Sequence, residues 1–347
     1  MKKFGQQFGG KVTKELKERY ERSTNWSEGT FVNIEKTGVE FTMHELPKLL
    51  YKQFFDKKHR QPAKSIPVKA FEAASFTSDE PQFIWYGHSV VLMRLSGLNV
   101  LIDPMLGDNA SPIAPFATKR FSEDTIDIID QLPEIDIVLI SHDHYDHLDM
   151  DSILRLKGKV KTWWVALGAA RHLLSWDIPS NAIVEFDWWD EHPFHDLQIT
   201  YTPTRHSSGR GVRDQAKCLW GGWSIKSQQN HVWFSGDGGY GNHFKEVAER
   251  IGAPDLAFME CGQYNKNWHQ IHMYPEESVQ AAIEVGVKHA VAVHWAGFAL
   301  AQHDWKDPID RFTAEADKLG LKYSTPEIGE LFTLNDNPNK RWWDDLD

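Results

Sequence analysis

The sequence predicts an α/β fold in which two packed β-sheets are flanked by helices. Short β-rich runs follow one another from Pro81 to Ile140, and later strand-like runs alternate with amphipathic helices. The chain has 347 residues, 41% of them hydrophobic, so it can bury a large core. Many strands first, then strands alternating with helices, are typical of sheets covered by helices on their outer faces.

The first 80 residues differ from the rest in net charge and in the pattern of predicted elements. We expect residues 1–80 to form an extension, or arm, that packs on a body formed by residues 81–347. Charged helical stretches are predicted from Thr13 to Arg22 and from Leu46 to Lys58, and an extended connector from Gln61 to Lys69. The arm carries 15 Lys and Arg against 11 Asp and Glu, whereas the whole chain has a formal net charge of −11. A basic arm can dock on a phosphate-bearing surface or on the acidic body itself.

The body begins with strands that are joined by turns. The runs FIWYG, SVVLMRL and NVLID are β-rich and are separated by Gly- or Asn-containing turns, as in hairpins. IDIVLI, which ends at Ile140, is predicted to be a buried strand. MDSILRLK is predicted to be a short helix that Asp149 opens as its N-terminal cap.

Strands and helices alternate further along the body. The predicted strands are KTWWVA, AIVEF, QITYT, KCLWGGWSI, HVWFSG, LAFME and AVAVHW. HFKEVAERIG and PEESVQAAIEVG are predicted to be amphipathic helices that end at glycine, with Pro275 near the first turn of the second.

Composition excludes several classes of protein. The acidic net charge argues against general nucleic-acid binding, which needs a positive surface. The N-terminus lacks the apolar centre of a secretory signal, and no run approaches the roughly 18 apolar residues of a membrane span. Two cysteines, Cys218 and Cys261, fit a reducing compartment. We therefore expect a cytoplasmic protein, with peripheral membrane association left open.

The segment SHDHYDHLD, directly after the buried strand, has the spacing of metal ligands. His142 and His144 are two residues apart, so both imidazoles can face one side, and Asp146 and His147 add a carboxylate and a third imidazole. Imidazole and carboxylate are the ligands that catalytic zinc uses in proteins. This cluster predicts part of a metal site.

Three later residues stand at the ends of predicted strands, where side chains from different strands converge. His206 opens a Gly-bearing loop in TPTRHSSGR, Asp237 lies between two glycines in SGDGGY, and His294 ends AVAVHW. Two zinc ions need two or three more protein ligands than the cluster contains. The three residues supply that number.

The order of these motifs resembles the metallo-β-lactamase superfamily, and most closely its N-acylphosphatidylethanolamine-hydrolysing phospholipase D group and bacterial relatives. WYGHS, LIDPM, SHDHYDHLD, SGDGGY, HMYPEES and HWAGFAL carry the resemblance, which covers about residues 81–335. It implies a four-layer αββα sandwich. It also implies a site for two divalent ions, zinc first, although manganese or iron would also be accommodated.

The resemblance implies a role for each site residue. One ion would be held by His142, His144 and His206, and the other by Asp146, His147 and His294, with Asp237 bridging them. Asp103, in LIDPM, would orient a ligand histidine without touching the metal. His272, in HMYPEES, would lie near the substrate, as a proton donor or a phosphate contact. The resemblance gives His88, in WYGHS, a supporting place outside the catalytic set.

Some residues depart from the pattern of the group. Asp143 stands where the relatives have Asn, Ala296 and Gly297 are a different pair after HW, and Cys261 and Gln263 replace apolar residues. These positions lie where substrate is expected, so they bear on substrate choice more than on metal binding.

A dinuclear site predicts hydrolysis, because two ions about 3.5–4 Å apart share a bridging water and lower its pKa, giving hydroxide. The leading hypothesis is a phosphodiesterase acting on a phospholipid-like substrate. Its basis is the resemblance, the basic arm and the aromatics near the motifs. The alternatives are a lactonase or other acyl hydrolase and a non-catalytic metal-binding scaffold. The expected partner is a small-molecule or lipid phosphodiester; a homodimer stays open.

Overall fold

A computed structural model of the protein describes residues 5–38, 59–111 and 118–346. The predicted helix from Leu46 to Lys58 lies outside these ranges. In the arm, the predicted helix from Thr13 is present: Thr13 caps it by accepting a hydrogen bond from the backbone N–H of Leu16. A short hairpin follows the helix. The arm elements are α1 (Lys14–Tyr20), β1 (Trp26–Ser27) and β2 (Thr30–Phe31).

Two seven-stranded sheets form the body within the described residues. The first sheet has the order β16-β3-β4-β5-β6-β7-β8, with β5 to β8 parallel to one another and the other pairs antiparallel. Its strands are β3 (Gln82–Trp85), β4 (Val91–Leu95), β5 (Leu98–Ile102), β6 (Ile135–Ile140), β7 (Val160–Ala166), β8 (Ile183–Phe186) and β16 (Leu331–Thr333).

The second sheet has the order β15-β14-β13-β12-β11-β10-β9, in which β12 to β15 are parallel. Its strands are β9 (Glu191–Phe194), β10 (Leu197–Pro203), β11 (Gly221–Lys226), β12 (His231–Phe234), β13 (Leu256–Glu260), β14 (Ala290–Val293) and β15 (Tyr323–Ser324).

Helices cover the outer faces of the two sheets. The helix α6 contacts β13 and packs between α5 and α7 on the second sheet, while α4 contacts β8 of the first sheet. The helices of the body are α2 (Ile128–Gln131), α3 (Met150–Leu156), α4 (Ala170–Ser175), α5 (His243–Ile251), α6 (Pro275–Val285) and α7 (Asp307–Leu319).

The two sheets pack face to face through large buried side chains. The Phe83 ring on β3 lies 6.0 Å from the Phe258 ring on β13, and the Phe186 ring on β8 lies 5.1 Å from the Trp223 ring on β11. Burying aromatic side chains between sheets is a large source of stability, because each removes a wide apolar area from water. The four-layer αββα sandwich predicted from the sequence is therefore confirmed.

The structure differs from the sequence predictions at several elements, among them β11, α4 and α7. β11 begins at Gly221, not at Lys217; directly before it, the Trp220 carbonyl accepts the indole N–H of Trp188 at 2.6 Å. α4 and α7 were not predicted, although α7 has Pro308 in its first turn and ends at Gly320 in the left-handed region.

The arm lies against the body along its described length. The Trp176 indole N–H donates to the Gln6 carbonyl at 2.8 Å, and the Arg171 guanidinium donates to the Gly10 carbonyl at 3.2 Å. Tyr20 and Phe31 are buried and belong to the main core cluster. The basic arm thus uses the body as its docking surface at these points.

Candidate metal centre

The residues predicted to bind metal stand just beyond the ends of four strands. The parallel strands of each sheet direct their carboxyl ends to the same edge, so the loops after them meet. The loops after β6, β10, β12 and β14 carry the seven residues His142, His144, Asp146, His147, His206, Asp237 and His294.

Three histidines form the first half of the centre. His142 Nε2 lies 2.9 Å from His144 Nδ1, and His206 Nε2 lies 3.2 Å from the same His144 nitrogen. All three ligand atoms lie within 4.8 Å of one another. Burial, His147 and His144 lower the pKa of His142 well below its ordinary value, so its imidazole is neutral and able to bind a cation.

The second half of the centre contains Asp146, His147 and His294. Asp146 Oδ2 lies 3.4 Å from His294 Nε2 and 3.6 Å from His147 Nε2. The His147 Nε2 atom is buried and faces Asp237 Oδ2 at 3.0 Å, but it makes no aligned hydrogen bond to any described residue. A buried imidazole nitrogen that faces carboxylate oxygens without an aligned hydrogen bond is placed as a metal ligand would be.

Asp237 lies between the two halves. Its Oδ2 atom is 3.0 Å from His147 Nε2 and from His294 Nε2, and 3.9 Å from His142 Nε2. The same oxygen is also 3.9 Å from His206 Nε2. Burial opposes ionisation of Asp237, but His147 and His294 outweigh burial and hold its pKa well below the ordinary value.

The chemistry of this donor set fits two divalent cations. Each half offers three N or O atoms, and the shared carboxylate adds a fourth, which matches the coordination number of zinc. Nitrogen and carboxylate oxygen together suit zinc, manganese and iron. The residues that would hold the ions are those of the two halves and Asp237.

Asp103 supports the second half, at the place where the sequence predicts an orienting carboxylate. Asp103 Oδ2 lies 2.8 Å from His147 Nδ1 and also accepts the Ser141 hydroxyl at 2.5 Å. The other oxygen accepts the Ser141 backbone N–H at 2.7 Å. These bonds fix the His147 ring so that Nε2 faces Asp237.

Glu260 is a site residue that the sequence reasoning missed. It ends β13, its side chain is 1% exposed, and its Oε1 atom lies 2.5 Å from His272 Nδ1 and 3.6 Å from His294 Nδ1. The sequence contained a signal for Glu260, because this acidic residue ends the apolar run LAFME. Asp237 and His294 also stand at the ends of predicted strands.

His272 lies beside both halves of the centre. Its ring stacks on that of His294, with centroids 5.2 Å apart and planes 9° apart, and it meets the His206 ring edge-on at 4.9 Å. Because Nδ1 donates to Glu260, Nε2 is the nitrogen left for a substrate or a proton.

His88, which the resemblance places outside the catalytic set, lies in direct contact with a residue of the centre. Its Nε2 atom is 2.9 Å from Asp146 Oδ2, and burial lowers its pKa to about 3. A Cβ on Gly297 would lie 2.6 Å from the Cβ of His88. The glycine of HWAG therefore leaves room for the His88 ring.

Asp143, between two of the predicted ligands, points away from the centre. Its Oδ2 atom lies 3.0 Å from His172 Nε2 and 3.1 Å from the Arg171 guanidinium, while Oδ1 accepts the Gly209 backbone N–H at 2.8 Å. Asp143 therefore anchors the ligand loop to α4 and to the loop after His206.

A pocket of about 300 Å³ opens beside the centre. It combines polar residues of the site with three apolar side chains, of which Trp268 is the aromatic member. Trp85 and Trp295, whose rings stack at 5.5 Å, belong to the buried core instead. The lining residues are His144, Asp146, Asp237, Gln263, Trp268, Ile271, His272, His294 and Leu300.

Among residues 5–38, 59–111 and 118–346, no helix reaches the combination of length and hydropathy that crossing a bilayer requires.

Known proteins resemble this chain over most of its length. The model of the beta-lactamase superfamily domain matches residues 98–295. An uncharacterised protein of Mycobacterium tuberculosis is 34% identical over 316 residues, which are 89% of this chain and 84% of that protein. N-acyl-phosphatidylethanolamine-hydrolyzing phospholipase D 1 of Caenorhabditis elegans is 30% identical over 334 residues, 90% of this chain and 91% of that protein.

Solved structures share the fold. Igni18, a metallo hydrolase from the archaeon Ignicoccus hospitalis, superimposes with a TM-score of 0.56 at 20% sequence identity, covering 73% of this chain and 97% of that one. At this identity the likeness concerns the fold.

Proposed function

This chain belongs to the metallo-β-lactamase superfamily and is a metal-dependent hydrolase; from that premise we propose that it hydrolyses phosphodiesters of phospholipid-like molecules. The observation that carries the proposal is the composition of the pocket. Metal donors and His272 share one cavity with the apolar side chains of Trp268, Ile271 and Leu300. Such a cavity suits a substrate that has a charged phosphodiester next to an apolar group.

The likeness to the phospholipase of Caenorhabditis elegans supports the same substrate class. That protein's name specifies N-acyl-phosphatidylethanolamine, in which a phosphodiester joins diacylglycerol to an N-acylated ethanolamine. Transfer of this substrate to the present chain is part of the proposal.

The reaction needs a nucleophile, charge stabilisation and a proton for the leaving group. When bound, two divalent cations, for which we propose zinc, acidify water for attack near neutral pH and stabilise developing negative charge. Asp237 contributes the carboxylate that lies within reach of both halves. Asp146 completes the second half and receives support from His88.

We assign the leaving-group proton to His272. Glu260 holds its Nδ1, so Nε2 is the atom that can reach a substrate in the pocket. The ring stack on His294 fixes the plane of the imidazole. Asp103 acts further back, through the His147 ring that it holds.

The test uses purified protein that has been stripped of metal and reloaded with Zn²⁺, Mn²⁺ or Fe²⁺. Bis-p-nitrophenyl phosphate and vesicles containing N-acylphosphatidylethanolamine are the phosphodiester substrates, and a panel of lactones is the comparison. We expect metal-dependent turnover of both phosphodiesters. Turnover of lactones alone would support an acyl hydrolase instead, and no turnover by protein that binds metal would support a non-catalytic scaffold.

We further propose that residues 1–80 form an extension of a hydrolase body spanning residues 81–347. The contacts of Gln6 and Gly10 with α4 and its following residue support this division. Free, buried Cys218 and Cys261 support a cytoplasmic location. Peripheral contact with a membrane would bring the pocket to a lipid substrate. Vesicle co-sedimentation and sedimentation velocity test membrane contact and a homodimer, respectively.

A further inference from the structure

One short stretch of the arm, residues 33–38, touches three loops of the candidate metal centre. We infer that Asn33, in this stretch, is a positioning residue that holds the ligand His206 in place. The inference rests on the metal site proposed above. It means that the first half of the centre is built by the arm as well as by the body.

The stretch bends at Ile34 and Glu35, and its residues alternate between partly buried and exposed positions. Phe31 is buried and the side chains of residues 33, 35 and 37 are half-buried, whereas residues 32, 34, 36 and 38 are exposed. Successive side chains therefore face the body and the solvent in turn, as they do along a chain that lies on a surface. The inward side chains are therefore available for specific contacts.

Asn33 makes a two-way contact with the backbone of His206. The side-chain amide donates to the His206 carbonyl at 2.8 Å, and its oxygen accepts the His206 N–H at 3.0 Å. The same oxygen accepts the indole N–H of buried Trp220 at 3.0 Å. One amide thus satisfies both backbone polar groups of a proposed metal ligand, and leaving them unpaired away from water is costly.

The neighbours of Asn33 contact the loops on either side. Glu35 accepts the backbone N–H of Asn242, in the loop that follows Asp237, at 2.5 Å. The guanidinium of Arg205, the residue directly before His206, donates to the Thr37 hydroxyl at 3.0 Å.

The end of the stretch reaches the segment that orients the His206 ring. The Gly38 N–H donates to the Gln270 side chain at 2.9 Å, next to Ile271. The Ile271 carbonyl accepts His206 Nδ1–H at 2.8 Å, which leaves Nε2 free for a cation. The arm therefore holds the backbone of His206 and lies next to Ile271, whose carbonyl fixes the orientation of the His206 ring.

Loss of the Asn33 amide should weaken cation binding by the first half only. Outer partners of a metal ligand typically contribute about 10- to 100-fold to metal affinity, because they fix the ligand's orientation. Coupling is reciprocal, so a cation that fixes His206 must also stabilise the docked arm. Asn25, also in the arm, bonds to Asp187 at 2.7 Å and provides a matched control.

The experiment titrates metal-free protein with Co²⁺ and follows its absorption spectrum, which resolves the two halves by their different ligands. We expect Asn33→Ala to bind one of two ions about 10- to 100-fold more weakly and the other as wild type does. Asn33→Asp keeps the acceptor oxygen but loses the donor, so its affinity for the weaker ion should lie between those of Asn33→Ala and wild type. Asn25→Ala should match wild type. Equal affinity in Asn33→Ala and wild type would overturn the inference.

Hydrogen exchange in the wild-type protein gives an answer even if Asn33→Ala does not fold. We expect backbone amides of residues 31–38 to exchange more slowly after Zn²⁺ loading than before. Exchange unchanged by Zn²⁺, in protein that binds two ions, would contradict the role of Asn33. Wild-type protein that binds two ions with these effects but does not hydrolyse phosphodiesters would contradict the proposed function alone.

Discussion

The two halves of the candidate metal centre contain similar candidate ligands, but different groups hold those side chains in place. In the first half, neutral groups support the histidines: the Ile271 carbonyl accepts from His206, and the Ser141 hydroxyl lies 3.0 Å from His142 Nδ1. In the second half, a carboxylate supports a histidine: Asp103 Oδ2 lies 2.8 Å from His147 Nδ1. In the same half, His294 Nδ1 lies 3.4 Å from the Gly262 carbonyl, and the Glu260 carboxylate is 3.6 Å from that nitrogen.

From this difference we expect the two halves to bind cations with unequal strength. A carboxylate on the far nitrogen of a ligand histidine makes the metal-facing nitrogen a stronger ligand. We therefore expect the second half to hold its ion more tightly. The first half depends on neutral contacts, including those that the arm supplies, and should lose its ion first.

Replacing Asp237 should have the largest effect, because its carboxylate is the group within reach of both halves. Asp237→Asn keeps the shape but removes the charge, so kcat should fall by more than the roughly 100-fold that changes to outer partners cost. Hydrolysis of bis-p-nitrophenyl phosphate measures kcat, and circular dichroism checks that the variant is folded. Activity equal to wild type would rule out the shared role of Asp237.

Replacing Asp103 should affect the second half and spare the first. Asp103→Ala removes the partner of His147 Nδ1, so affinity for the tighter ion should fall about 10- to 100-fold. Co²⁺ titration measures the change. Asp255→Ala is the control, because Asp255 immediately precedes β13, at the end of that strand opposite Glu260. If Asp103→Ala weakened only the looser ion, the proposed difference between the halves would be wrong.

Glu260→Gln should produce a smaller effect, mainly on kcat. The amide can still accept a bond from His272, but it lacks the negative charge that favours a protonated ring, so we expect kcat to fall about tenfold. KM should stay within about twofold of wild type if His272 acts on the leaving group. Glu185→Gln, at another buried glutamate, is the control. A change in KM alone would make His272 a substrate contact.

Histidines outside both halves should give the smallest effect, on stability alone. Burial lowers the pKa of His231 and of His303 to about 4. Between pH 6.5 and 4 the unfolded chain therefore binds more protons than the folded chain. The free energy of unfolding should fall on acidification through that window, by up to about 1.4 kcal/mol per pH unit for each histidine.

Urea unfolding at several pH values between 7 and 4 measures this slope. His231→Gln should reduce the slope by up to one proton, whereas His195→Gln, at an exposed position, should leave it unchanged. An identical slope in His231→Gln and wild type would show that burial of His231 does not contribute.

The sequence was sufficient to predict the fold and the grouping of the ligand candidates. A buried strand directly before His142, and three later strand ends, placed the seven candidates in loops that the structure brings together. Glu260 could have been found by the same rule, since it also ends an apolar run. Which of these residues bind metal stays a prediction.

Other parts of the site could not be read from local sequence. Asn33 bonds to His206 across 173 residues, and nothing in the pattern around either residue indicates that contact. His88 lies beside Asp146 because the backbone at His88 adopts a φ of 52° and Gly297 leaves space. Such contacts depend on how whole elements pack, which spacing along the chain does not encode.

The number of bound ions tests the central claim most directly. Native mass spectrometry of the wild-type protein, titrated from the metal-free state with Zn²⁺, should show one ion at low occupancy and two at saturation. The same titration of Asp146→Ala, which lacks a ligand of the second half, should show one ion at saturation. Wild-type protein that saturates with one ion, or with none, would contradict a centre of two halves joined by Asp237.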